Sequence, residues 1–378
     1  MYAELVCGTP GSGKTTYCEG KRQYIDAVHG NADRLVLHVN LDPGNDEGIF
    51  PYPCAVDVCD LIRQRQVMER EHLGPNGSYL FCAEFLEGRM DWLKNAIVLA
   101  VAAARGSASG GATPVSSQRS QWPRGPVVPP AGAQTGPAVD RRPVWLLIDC
   151  PGQVEFYINC GAMKALVTML RKELRCDGIC MTHLCDASVA CRDVSQYVST
   201  CLLCLTCMVD VELPHVNVLS KWDLAEEVCP LGRHVVGRGI PPPHTSSSGD
   251  HQRDVAGEDV DGLEVFLDTT AFLEEHFDRQ WNAHNELAGR RRQATVSHRR
   301  MAHAADEGGD EVNEVGDDDE PAAVKRQQRH RRELARSMLD VVSGYSLVGF
   351  VPLDVNDVSS MKALAERVDS AAGFFGVT

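Results

Sequence analysis

Tyr2-Ala3-Glu4-Leu5-Val6-Cys7 runs directly into Gly8-Thr9-Pro10-Gly11-Ser12-Gly13-Lys14-Thr15, and a stretch with helical spacing follows. The eight residues from Gly8 fit G-x-x-x-x-G-K-[S/T], the strand–turn–helix pattern that cradles phosphate. Gly8, Gly11 and Gly13 allow backbone conformations that a side chain forbids, so that successive N–H groups can converge on an anion. The helix expected near Lys14 adds its positive N-terminal end. Lys14 is placed to reach β- and γ-phosphates and the Thr15 hydroxyl to bind Mg²⁺. Ser12 and Thr16 are counted with the same loop. The expected ligand is a nucleoside triphosphate.

The chain has 378 residues, 43% of them hydrophobic and 24% charged, the composition of a globular protein. Its formal charge of −15 argues against a general nucleic-acid binder, which would present a basic surface. No apolar run is long enough to span a bilayer and no charged-then-apolar leader opens the sequence, so a cytoplasmic location and no membrane partner are expected. The fifteen cysteines then read as thiols in a reducing compartment. Cys201-Leu-Leu-Cys204-Leu-Thr-Cys207 and the Cys176/Cys180 pair lie in very apolar surroundings. They read as buried small side chains rather than as a metal site.

Beyond the opening helix, ending near Val28, Leu35–Val39 is a strand that runs into Asn40-Leu41-Asp42-Pro43. The apolar spacing of Val56, Val58, Leu61, Ile62 and Val67 predicts a helix over 56–71, followed by a turn at Leu73–Gly77. Phe81–Ala104 is mainly helical, with a break near Leu86-Glu87-Gly88. Val144–Ile148 is a continuous apolar run suited to a central parallel strand. A helix over 161–175, a strand over 178–184, a helix over 192–209 and the strand His215–Leu219 come next. A helix over 263–287, one near 333–342, the strand Tyr345–Pro352 and a helix over 359–372 complete the pattern. Stretches poor in large apolar residues or dense in charge at about 105–142, 228–262 and 289–332 read as three disordered insertions. Their basic pieces, Arg290–Arg292 and Lys325–Arg332, also admit a nuclear-localisation role. Strands alternating with helices predict one α/β domain over 1–378, a doubly wound, mainly parallel sheet flanked by helices. Its ligand belongs at the carboxyl ends of the strands, where the phosphate loop, Asp42, Asp149 and Ser220–Asp223 all fall.

Asp149 ends an apolar strand, the position of a carboxylate that holds Mg²⁺ opposite a phosphate loop. Gln153 and Glu155 lie just beyond it, and either can orient or deprotonate an attacking water; Asp42 can reach the metal or the same water. Asp186, after the fourth strand, is divided between this site and a capping role. Ser220-Lys221-Trp222-Asp223 addresses the base. A carboxylate at Asp223 that accepts from N1–H and the exocyclic amine of guanine meets lone-pair repulsion at N1 of adenine, and Lys221 lies along the base plane. Sites that read a ligand by buried hydrogen bonds can discriminate by ~10⁴-fold or more.

Taken together, Gly8–Thr15, Asn40-Leu41-Asp42-Pro43, Gly74-Pro75-Asn76, Asp149-Cys150-Pro151-Gly152-Gln153-Val154-Glu155 and Ser220–Asp223 resemble the GPN-loop GTPases, a SIMIBI-class P-loop family, and most of all the second of its eukaryotic paralogues. The resemblance spans nearly all of the chain outside the insertions. It implies a dimer, of two copies or of one copy with a paralogue, in which the loop Gly74-Pro75-Asn76 of each subunit enters the other's site and Asn76 acts in trans near the γ-phosphate. It also implies Mg²⁺-dependent GTP hydrolysis, and work with RNA polymerase II subunits or assembly factors in polymerase assembly and nuclear import. Three departures stand out: Ser220 where many GTPases have Asn, His72 where a small residue is expected, and Gly44 for the usual Ala, the last reading as of little consequence. Two other classes fit the phosphate loop, a P-loop kinase of a small molecule or nucleic-acid end and a scaffold that holds GTP with little turnover. The first leaves Asp223 without a purpose, and the second leaves Gln153, Glu155 and Asp42 without one.

Overall fold

The structure is a computed structural model that describes residues 1–30, 33–45, 50–107, 140–158, 160–192, 194–224, 322–344 and 348–376. The helix expected over 263–287, the insertion over 228–262 and most of the other two lie outside these residues. By its internal contacts the chain falls into two compact units, and the first comprises Met1–Arg192, Leu203–Leu267 and Phe350–Thr378.

Seven parallel strands form the sheet of this unit: β1 (Tyr2–Gly8), β2 (Leu35–Asn40), β3 (Cys54–Asp57), β4 (Val144–Asp149), β5 (Gly178–Asp186), β6 (His215–Ser220) and β7 (Phe350–Leu353). Their order is β3-β2-β4-β1-β5-β6-β7, so the chain winds outward in both directions from the pair β1–β4. Asp149 of β4 pairs in register with Val6 of β1, two positions before the phosphate loop begins at Gly8. All six residues of β4 are buried, as a strand covered on both faces requires.

Side chains alternate between two cores, following the two-residue period of a strand. Ala3, Leu5 and Cys7 of β1 face one of them, with residues of α3 (Pro75–Glu87), α4 (Met90–Ser107), α5 (Gly161–Thr168) and the C-terminal part of α7 (Val194–Val211). Val6, Trp145 and Leu147 face the other, with α1 (Lys14–Val28) and the C-terminal helix, numbered α9 below (358–371). A short helix, α6 (Ala187–Ala190), follows β5.

The expected helix over 56–71 is corrected. Cys54–Asp57 is instead the strand β3, a 3₁₀ turn covers Val58–Asp60, and helix α2 occupies only Gln64–Glu71. The Asp57 carboxylate accepts from the Cys59 amide at 2.9 Å and from Asn40 at 2.8 Å, which stops the strand and caps the turn. The turn expected at 73–77 is also corrected to a helix start. Gly74 is the N-cap of α3 and Pro75 its first residue, where the missing N–H of proline costs nothing.

The second unit comprises Asp193–Leu202 and Asp268–Gly349, and its described part includes the start of α7 and helix α8 (Ala322–Gly344). The basic run Lys325–Arg332 is therefore helical and not part of an unstructured insertion. Its Lys, Arg and Gln are good helix formers, which outweighs the charge density that suggested otherwise. Helix α9 runs over Val358–Ala371, capped by Asp357, which accepts from the Ser359 and Ser360 amides. None of the described helices is long and apolar enough to cross a membrane.

Glu4 stands fully buried in β1. It accepts from Lys21 at 2.5 Å, Tyr17 and Thr182 at 2.7 Å, and Trp145 at 3.2 Å. Burial pushes its carboxyl up, but the Lys21 ammonium and these hydroxyls outweigh that and hold it below the usual range. Replacing Lys21 by Met leaves a buried charge unpaired, and urea unfolding should show a loss of about 3–5 kcal/mol. The double variant Glu4→Gln/Lys21→Met should recover a large part of it; a double variant no better than Lys21→Met would show that the pair is not the source.

Candidate functional site

The loop between β1 and α1 is shaped by its glycines. Gly8, Gly11 and Gly13 have φ of 141°, 76° and 86°, and Gly13 is the N-cap of α1. At Gly8 a Cβ would lie 2.1 Å from the Leu184 carbonyl of β5, so only glycine lets the loop sit this low. Tyr157 is buried beneath it, its hydroxyl accepting from the Gly8 amide at 3.3 Å and donating to the Pro151 carbonyl. Lys14 folds over the loop and donates to the carbonyls of Gly8 and Thr9 at 3.2 Å each. Phosphate oxygens can take over these bonds without the helix moving. Ser12 is buried with a hydroxyl that has no partner among the described residues, and Thr16 is exposed one turn along.

Asp149, at the end of β4, is the carboxylate that Thr15 of the loop reaches. Thr15 donates to its Oδ2 at 2.8 Å and Tyr52 donates to the same atom at 2.9 Å. Tyr52 is held by its ring, stacked 4.3 Å from His38, which is itself buried and neutral with its pKa lowered to about 4 by burial. Asp42 follows β2 in a turn braced by Asn40, whose side chain donates to the Asp42 carbonyl at 3.1 Å and accepts from its amide at 3.1 Å. Its carboxylate accepts from the Gly44 amide at 2.9 Å and Tyr79 at 3.2 Å. Burial raises the Asp42 pKa, against the opposing pull of Gly44, Lys14 and Tyr79. Gly44 proves consequential here, because a Cβ at that position would lie 2.1 Å from the Tyr79 hydroxyl and push it off Asp42.

Gly152 brings the segment after β4 onto the loop: a Cβ there would meet Pro10 backbone atoms at 3.0–3.1 Å and the Lys14 ammonium at 3.2 Å. Gln153, half-buried, precedes the 3₁₀ turn Val154–Phe156 without a side-chain capping bond, and Glu155 is exposed on it. On the other side, the Ser220 hydroxyl at the end of β6 lies 2.7 Å from the Ser12 carbonyl and 3.1 Å from that of Cys185. Serine in place of Asn thus ties the base-reading turn directly to the phosphate loop. Lys221 takes a left-handed conformation (φ 55°) and donates to Asp186 at 2.7 Å. Asp186 also accepts from Ser188 and caps α6, so it anchors Lys221 from outside the phosphate-binding group. Asp223 is exposed at the open edge of this turn.

Gly74, Pro75 and Asn76 stand exposed at the start of α3. The Asn76 side chain makes no hydrogen bond among the described residues, whereas Gln64 and Ser78 brace Pro75 through its carbonyl. His72 ends α2 in a left-handed conformation (φ 55°), one of the residue types that tolerates it. Tyr52, Tyr79 and Tyr157 were not identified from sequence. Each meets a site residue far along the chain (Asp149, Asp42 and Gly8 respectively), and only Tyr52, between prolines 51 and 53, carries a local hint of a fixed turn.

The donor set fits a divalent cation. Asp149 Oδ2 is engaged by Thr15 and Tyr52, and Oδ1 has no donor among the described residues. Burial lifts the carboxyl from its ordinary 3.8 to about 6; the Asp42 charge adds to this, and Thr15, Tyr52 and Lys14 oppose it. The folded protein therefore keeps a proton on Asp149 that the unfolded chain has lost, and this contribution to stability falls as pH rises from 3.8 to about 6. The loss is on the order of 3 kcal/mol. Ligand-free Asp149→Asn should unfold at higher urea than the wild type near neutral pH, with a flatter stability profile across that interval. A variant less stable than wild type near neutral pH would show that the charge is not under strain.

The family described as conserved hypothetical ATP binding protein matches residues 6–104 and 133–236, more than half of the chain. GPN-loop GTPase 2 of Danio rerio is 29% identical over 374 residues, covering 99% of this chain and 81% of that protein. GPN-loop GTPase QQT1 of Arabidopsis thaliana is 28% identical over 376 residues, covering 99% and 86%. GPN-loop GTPase 3 of Dictyostelium discoideum is 25% identical over 370 residues, covering 98% and 86%. Among solved structures, an apo-form GTPase from Pyrococcus abyssi aligns at 20% identity with a TM-score of 0.40, over 60% of this chain and 69% of that one. With the phosphate loop, the two strand-end carboxylates and the Gly-Pro-Asn helix start all in place, the chain belongs to the family of GPN-loop GTPases.

Proposed function

We propose that this protein binds GTP with Mg²⁺, hydrolyses it, and uses the nucleotide state to switch a dimer that serves RNA polymerase II assembly and nuclear import. The observation that carries the nucleotide reading is the Ser220 hydroxyl on the Ser12 carbonyl, which puts a base-reading turn and a phosphate-binding turn at one hydrogen bond's distance. Base and phosphates of one nucleotide span that junction. Asp223 selects guanine by accepting from two N–H groups that adenine does not offer together. The family's description names ATP and the aligned relatives' names say GTPase, and the Ser220–Asp223 turn favours guanine.

On binding, Lys14 would shift from the loop carbonyls to phosphate oxygens, and Thr15 and Asp149, with Asp42, would be the residues to hold the metal. Mg²⁺, when bound, neutralises phosphate charge that develops as the terminal bond breaks. Gln153, Glu155 and Asp42 are the groups that orient the attacking water. The dimer and the role of Asn76 in trans come from family resemblance. They are supported by the exposure of Gly74–Asn76 and of Leu80, Phe81, Val98 and Leu99 on α3 and α4, large apolar side chains that a second subunit would cover. Two copies, or one copy with a paralogue, satisfy the same surface. Service to RNA polymerase II subunits or assembly factors, in the cytoplasm with passage to the nucleus, follows the family in the same way.

Phosphate release from purified full-length protein with Mg²⁺ should be selective for GTP over ATP, with specific activity rising with protein concentration. Asp223→Asn should lose most of that selectivity. Turnover of ATP, or turnover only with an added phosphoryl acceptor, would overturn the reading in favour of a kinase. In mixtures, a Lys14→Ala subunit should restore turnover to an Asn76→Ala subunit by lending it an intact loop. Absence of rescue at concentrations where the two subunits associate would rule out action in trans.

A further inference from the structure

A second group of side chains converges beneath the phosphate loop, on residues that the nucleotide reading does not use. His183 and Cys185 are two apart on β5, so their side chains share the face on which the C-terminal part of α7 packs. Cys204 reaches them from that helix. One donor atom from each of the three lies within 4.8 Å of the others, and the Cys185 and Cys204 sulfurs are 3.6 Å apart. A tetrahedral site with metal–sulfur bonds of about 2.3 Å separates two sulfurs by about 3.8 Å. All three residues are buried, and neither ring nitrogen of His183 has a hydrogen-bond partner among the described residues. Buried imidazoles are ordinarily satisfied, and this one is aimed into a pair of thiols.

We infer that His183, Cys185 and Cys204 form a site for one thiophilic divalent cation of the zinc class. Charge decides the valence. Two thiolates, a neutral imidazole and a dication sum to zero, whereas a monovalent soft cation would leave a net buried negative charge. On loading, the two S–H bonds are replaced by metal–sulfur bonds and two protons leave to solvent. A water in the fourth position preserves neutrality; a third thiolate from Cys7 or Cys207 would not. The site shares a backbone with the nucleotide pocket, because the Cys185 carbonyl receives the Ser220 hydroxyl. The ligands come from two elements and follow none of the local C-x₂-C spacing in α7, which is why the cysteines of that helix read as plain core residues in the sequence.

The test uses full-length protein, reduced, stripped by chelator, reloaded with zinc in the presence of excess Mg²⁺, and desalted before elemental analysis. One equivalent of zinc per chain should remain, with two protons released per metal bound. Cys204→Ser and His183→Gln should each weaken zinc binding by more than about a hundredfold, beyond the effect of disturbing only an outer partner. Cys54→Ser, a half-buried thiol elsewhere, should leave it unchanged. Cobalt(II) added to unmodified protein reads the site without any variant and should give thiolate-to-metal charge-transfer bands and intense tetrahedral d–d bands. Failure of wild-type protein to retain zinc, cobalt spectra without thiolate bands, or equal loss in Cys54→Ser would each overturn the assignment.

Discussion

A carboxylate with no solvent exposure in the middle strand sets the geometry of everything above it. Glu4 collects donors from α1, β4 and β5 at once, and each of those elements carries part of the site. The pair with Lys21 fixes the rotation of α1 against β1 and therefore the span that Gly8–Gly13 must close. The bond from Thr182 sets β5 against the same strand, and β5 supplies the carbonyl that only a glycine at position 8 can approach. A hydrophobic residue at position 4 would fill the volume but would leave α1 free to turn. This is a use of buried charge for register, where apolar packing alone is permissive.

At the other end of the same strands the balance is reversed. Asp149 is a buried carboxylate and Asp42 a half-buried one, each with fewer compensating partners than Glu4 has, and desolvation raises the pKa of both above the ordinary value. Neutral groups do the restraining: the Tyr52 hydroxyl, backed by a His38 ring that stays uncharged, and the Tyr79 hydroxyl, admitted by the bare Cα of Gly44. The scaffold over-determines these positions so that charge can wait, underpaired, for a ligand. Stability is surrendered at the site and held elsewhere in the sheet.

How far this was legible from sequence depended on how local the signal was. The phosphate loop, Asp149 at the end of its apolar strand, and the Ser220–Asp223 turn are each contiguous and have fixed positions relative to a strand end, and the structure places all three at the carboxyl ends of interior strands. Cys54–Asp57 was misread because Val56 and Val58 suit both periods, and the arbiter is a long-range bond from Asn40 to Asp57. The tyrosines could not be found at all: Tyr157 meets Gly8 across 149 positions and Tyr52 meets Asp149 across 97. Gly44 was dismissed as a small change, since its importance exists only in relation to Tyr79. Lys325–Arg332 was misassigned for the opposite reason, because charge density masked good helix formers.

The two outermost strands have a consequence for how this protein can associate. β3 has four residues, and its pairing with β2 slips between His38 and Val39; β7 also has four, one of them Pro352, which has no amide hydrogen to offer. Brevity, irregular register and proline are the features by which parallel sheets refuse an eighth strand. Neither rim is a template for edge-to-edge polymerisation, even though the strands between them are mostly buried. Crowding many copies together therefore favours contacts through helical surfaces over growth into a continuous cross-β stack.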